Sequence, residues 1–157
     1  MVIIMSFTLK IDFRGIELLQ KRLTELETTE VETGFFPESQ YGPENDNLHV
    51  AAVALMQERG SEDYPSRPFF SNTVEDRMVQ FHVGKAMTKV AQAALTPRTS
   101  ISQALLHAGG ILKDCIEVSI EDYPGSNSLA WAAFKGKNDP LSYTDKMLNS
   151  VKVKIKE

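Results

Sequence analysis

Between Gly60 and Phe70 the chain reads G-S-E-D-Y-P-S-R-P-F-F. Pro65 and Pro68 fix their own φ near about −65° and drive Tyr64 and Arg67 into extended conformations. A segment restricted in this way can continue neither a helix nor a floppy loop. It reads as a stiff, extended docking arm over residues 60–70, with a short helical run before it and a longer one after it. The arm carries Glu62, Asp63 and Arg67, with three aromatics, Tyr64, Phe69 and Phe70. These residues make no catalytic constellation; they suit a protein–protein contact.

The chain around this arm is 157 residues long, with 42% hydrophobic and 24% charged residues, values expected of one globular domain. Its formal charge of −4 argues against a protein that works by gripping phosphate backbones. A single cysteine, Cys115, excludes an intrachain disulfide and is expected on a core-facing helix stripe. Met1–Met5 is apolar but lacks the basic flank and cleavage site of a signal peptide, so it is expected to be a frayed or partner-pairing tail. No apolar run reaches the ~18 residues of a membrane span.

Periodicity divides the rest. Phe7, Leu9 and Ile11 alternate with polar residues, predicting a strand, and Val31, Thr33 and Phe35 predict a second. Between them Ile16, Leu19, Leu23 and Leu26 recur at helical spacing. After a Pro- and Gly-containing loop over residues 37–47, Asn47 is expected to cap a helix with Leu48, Ala51, Ala52, Leu55 and Met56 on one face and Gly60 at its end. A long helix is expected from Phe70 to about Ala94, bent at Gly84 and closed by Pro97. Ser100 and Gln103 form a capping box for another helix, in which Gly109-Gly110 makes room for a close neighbour. Residues 123–140 read as irregular around the apolar piece Leu129–Phe134, Thr144 as the cap of a single turn over Asp145–Leu148, and Val151, Val153 and Ile155 as a last strand. The sum is an α+β fold: a small antiparallel or mixed sheet of about three strands against three to four helices.

Chemical motifs are sparse. His49, His82 and His107 fall in separate segments with no metal-ligand spacing, and neither a phosphate loop nor a nucleophile elbow occurs, so no catalytic residue, metal or cofactor is expected. The residues leave open two other classes: a small cytoplasmic enzyme built from Glu62, Asp63, Glu121 and Asp122, and a nucleic-acid accessory protein using Lys135, Lys137, Lys152, Lys154 and Lys156.

Two stretches together resemble a known family. The first runs from the alanine-rich helix through Gln57-Glu58-Arg59-Gly60 to Pro65-Ser66-Arg67-Pro68-Phe69-Phe70. The second runs from Asp139-Pro140-Leu141 through Thr144-Asp145-Lys146-Met147-Leu148 to Val151. In this order they are similar to the tail-completion, or head–tail joining, proteins of long-tailed bacteriophages, the family that includes minor tail protein Z-like proteins. Tyr143 and Asp145 depart from the family pattern, standing where Asp and Gly are expected. The resemblance implies a non-enzymatic virion protein assembled in the bacterial cytoplasm into a ring, usually hexameric, in the neck. Its partners would be the head connector or stopper and the tail terminator or tube, with DNA passing through unbound and no membrane involved. The implied contact residues are Glu62, Asp63, Tyr64, Pro65, Arg67, Pro68, Phe69, Phe70, Thr144, Met147 and Leu148.

Overall fold

The fold is organised along one helix, α5 (Ile101–Glu121). Its cap is the expected one: the Ser100 hydroxyl accepts from the Gln103 N–H at 3.2 Å. The N-terminal half of α5 buries Ile101, Leu105, Ala108 and Gly109, and the C-terminal half buries Ile116 and Ile120. Each half anchors a separate apolar cluster. In this computed structural model residues 12–62, 64–141 and 145–156 are described.

Around α5 lie α1 (Arg14–Thr28), β1 (Glu30–Phe35), α2 (Val50–Arg59), α3 (Phe69–Glu75), α4 (Arg77–Leu95), α6 (Leu129–Lys135) and β2 (Val151–Lys156). Short 3-10 turns at Pro43–Asn45 and Leu148–Ser150 complete the described elements. The architecture is α+β, with six helices and a two-stranded antiparallel sheet among the described residues. The strand expected at Phe7–Ile11 lies outside them.

Pairing of β1 with β2 runs from Glu30↔Lys156 to Phe35↔Val151. Because side chains alternate, Val31 and Thr33 turn to α5 while Glu32 and Lys154 turn outward. Gly109 lets the strands approach: a Cβ there would lie 2.6 Å from Val153 and 2.8 Å from Val31, whereas one at Gly110 would meet nothing. The expected close approach therefore resides in Gly109 alone. The Thr33 hydroxyl donates to the Gly109 carbonyl at 3.1 Å and ties sheet to helix.

Several expectations need correction. The long helix breaks at Asp76 and not at Gly84, through which α4 continues uninterrupted. The Asp76 carboxylate accepts from the Met78 and Val79 N–H groups at 2.7 and 3.1 Å, so it starts a new helix where a stripe count alone sees continuity. Val74, Met78 and Phe81, which recur at helical spacing, are exposed, and α4 buries Ala86, Val90, Ala93 and Ala94. In α2 the buried residues are Val50 and Ala54, leaving Leu48, Leu55 and Met56 exposed. Asn47 does not cap α2: it sits in a left-handed turn at φ 52, and His49 holds the N-cap position without a side-chain capping bond. Leu129–Lys135 is a helix, α6, started by the Ser128 hydroxyl and ended by Gly136 at φ 72. Cys115 is half-buried, not in the core; burial, followed by the nearby Asp114 and Asp76 carboxylates, pushes its thiol pKa up.

Candidate contact surface

The segment after α2 is fastened to its own helix. Gly60 ends α2 at φ 70, and a Cβ there would lie 2.4 Å from the Ser66 nitrogen, so only glycine lets the chain fold back so closely. The Ser61 N–H donates to the Tyr64 carbonyl at 3.0 Å, and the Ser66 hydroxyl donates to the Glu58 carbonyl at 2.6 Å. The Arg67 N–H donates to the Gln57 carbonyl at 2.8 Å, and its guanidinium to the Gln57 side-chain oxygen at 2.6 Å. The Glu58 carboxylate accepts from the Phe70 and Ser71 N–H groups at 2.9 and 3.0 Å, satisfying the start of α3 that Pro68 leaves uncapped. The segment folds back on α2 and is strapped down by these bonds; it does not stand off from the body.

The residues named for contact therefore separate. Glu62 and Pro65 are exposed, Tyr64, Arg67, Pro68 and Phe70 are half-buried, and Phe69 is buried at 1% exposure, edge-on to Phe35 with ring centroids 6.2 Å apart. Met147 is buried in the same cluster as Phe69, and Leu148 is packed against it. Those two hold the subunit together. Asp63 and Thr144 lie outside the described residues.

The two motif stretches meet in space. A groove of about 290 Å³ is lined by Gln57 and Arg67 from the first stretch and by Leu141, Asp145 and Met147 from the second, with Trp131 and Lys135 of α6 beside them. Asp145 has φ 55, the left-handed region that glycine adopts freely and aspartate tolerates. Its carbonyl accepts from the Asn149 N–H at 2.9 Å and so opens the turn into β2. Burial lowers the Lys135 pKa, and the neighbouring charges of Lys137 and Arg67 push it the same way.

Beside the groove lies an exposed apolar surface on α6. Leu129 is 91%, Phe134 66% and Trp131 47% exposed, and the Trp131 and Phe134 rings stack at 5.1 Å. The signal for this helix was present: a serine before an apolar run and a glycine after it. A second apolar surface is α1, which buries none of its residues and leaves Ile16, Leu19 and Leu23 exposed. Arg22 holds α1 to the body by donating to the Ala93 and Ala94 carbonyls at the end of α4. The apolar cluster at the N-terminal half of α5 includes Leu26 of α1, whereas α6 follows the other end. The length of α5 between the two ends is about 30 Å.

Of the residues of the other readings, Glu62, Glu121 and Asp122 are each exposed, and Lys135 lines the groove. Lys154 and Lys156 are ion-paired with Glu38 and Glu32. His49, His82 and His107 are exposed, and among the described residues no group of three His, Cys, Asp or Glu side chains could hold a metal ion. No described helix is long and apolar enough to cross a membrane.

No family model matches this chain, and neither the curated proteins nor the solved structures provide a match.

Proposed function

We propose that this chain is a structural subunit of a phage neck, a tail-completion or head–tail joining protein that assembles into a ring around the DNA channel. The supporting observation is the meeting of its two motif stretches: Gln57 and Arg67 of the first are far in sequence from Leu141, Asp145 and Met147 of the second, yet all line one groove. A second observation agrees in detail. Asp145, which stands where the family pattern carries glycine, has the left-handed backbone that favours glycine.

Ring closure between identical subunits requires two different surfaces, one at each end of the subunit. The exposed apolar faces of α1 and α6, near opposite ends of α5, suit such a head-to-tail contact. The interior of the neck must pass DNA without holding it. A net charge of −4 and the pairing of Lys154 with Glu38 and of Lys156 with Glu32 fit that task. The head connector or stopper and the tail terminator or tube are the proposed partners, and the neck of the virion is the proposed location.

The test is to block expression of this chain in its phage and examine lysates by electron microscopy. The expected result is full heads and finished tails that stay apart. Joined, infectious particles without the chain would overturn the reading.

A further inference from the structure

The charges of this chain are segregated. From Arg77 to Lys113 no aspartate or glutamate occurs, while Arg77, Lys85, Lys89, Arg98 and Lys113 are basic. All 21 acids lie elsewhere, in a chain whose formal charge is −4. The acid-free span covers the whole of α4 and more than half of α5. On α4, Arg77, Phe81 and Lys85 stand four residues apart and so share one face of the helix. All three are exposed, as is Met78 beside them. The Lys85 ammonium lies 5.1 Å from the centre of the Phe81 ring, within reach of a cation–π contact. The result is a cation–aromatic–cation stripe about 12 Å long.

The complement lies on the same chain. Past the acid-free span, α5 carries Asp114, Val118 and Glu121, spaced four and three apart and thus on one face. All three are exposed, Val118 at 56%, whereas Ile116 and Ile120 are buried. This is an acid–apolar–acid stripe about 10 Å long. Apolar side chains set between like charges point to a protein partner. Protein interfaces favour aromatic residues, methionine and arginine, while a phosphate backbone gives Phe81 and Met78 nothing to cover them. The two stripes match in length and oppose in sign. Both face solvent, so they can meet only between copies.

We propose that the α4 stripe of one copy docks on the α5 stripe of a second copy, with Arg77 and Lys85 meeting Glu121 and Asp114, and Phe81 against Val118. The contact joins two different patches, so a bound pair keeps one stripe of each kind for further copies. It needs only this chain and stands apart from the neck reading.

The test is sedimentation of the full-length chain. The unaltered protein should self-associate at high concentration, and raising the salt to about 0.5 M should weaken the association. Arg77→Glu with Lys85→Glu, and separately Asp114→Lys with Glu121→Lys, should each weaken it about tenfold or more. Mixing the two double variants should restore association, because each then meets a stripe of opposite sign. Both should melt within about 3 °C of the unaltered chain. A chain that stays monomeric at every salt concentration, no rescue in the mixture, or a large fall in melting temperature would each overturn the proposal. So would retention on duplex DNA at about 0.15 M salt that Arg77→Glu with Lys85→Glu abolishes, since α4 would then present a nucleic-acid face.

Discussion

Helices α1 and α5 are both amphipathic, yet they end in opposite situations. The α5 stripe buries six residues between two clusters, whereas α1, with Ile16, Leu19, Leu23 and Leu26 at comparable spacing, buries none. Periodicity states which face of a helix is apolar; it does not state what covers that face. In α5 the cover is the chain itself. On α1, with Ile16, Leu19 and Leu23, and on α6, with Leu129 and Phe134, apolar residues stay at the surface, where the proposed assembly would cover them.

The largest effect should come from the buried side of this contrast. Phe69→Ala should lose about 3–5 kcal/mol of unfolding free energy in urea titration, because the ring lies among Val50, Ile116 and Met147. A loss near zero would mean that the cluster around the C-terminal half of α5 is not the core.

The two adjacent glycines of α5 sharpen the comparison. Gly109→Ala drives a Cβ into the stiff side chains of Val153 and Val31 and should cost about 1–3 kcal/mol through overpacking. Gly110→Ala faces open space and should stabilise by up to about 1 kcal/mol through helix propensity. Thermal melting of both variants, moving in opposite directions, is the expected result.

A backbone test follows at Asp145. Asp145→Gly and Asp145→Val both remove the carboxylate that pairs with Lys137, so their difference reports the left-handed backbone. The valine variant should be less stable than the glycine variant by about 1–2 kcal/mol. Equal stabilities would remove the conformational likeness to the family's glycine.

Smallest on stability should be the exposed faces. Leu23→Ser and Leu129→Ser should each change stability by no more than about 0.5 kcal/mol. In sedimentation, self-association at high concentration should weaken in both variants. A large loss of stability in either would place that side chain inside the subunit's own core.

Much of the fold was legible because it rests on local chemistry. The Ser100 cap, the Gly60 stop and the alternation in β1 and β2 depend on near neighbours in the chain. The break at Asp76 was missed because an N-cap in the middle of an apolar pattern looks like one more polar position. The prolines of residues 60–70 were legible as an interruption between two helices, but the fastening of this segment to Gln57 and Glu58 is a tertiary arrangement. Of the contact residues, Phe69 and Met147 proved to be core, while Leu129, Trp131 and Phe134 were the exposed set. Burial depends on which element arrives opposite, and no single stretch of sequence carries that information.

The most direct measurement combines both halves of the contrast in the phage itself. Leu129→Ser with Phe134→Ser should leave the subunit's melting temperature unchanged within about 2 °C, as surface substitutions do. In electron micrographs of the lysate, heads and tails should then accumulate unjoined. Normal melting together with a normal yield of joined, infectious particles would contradict the account.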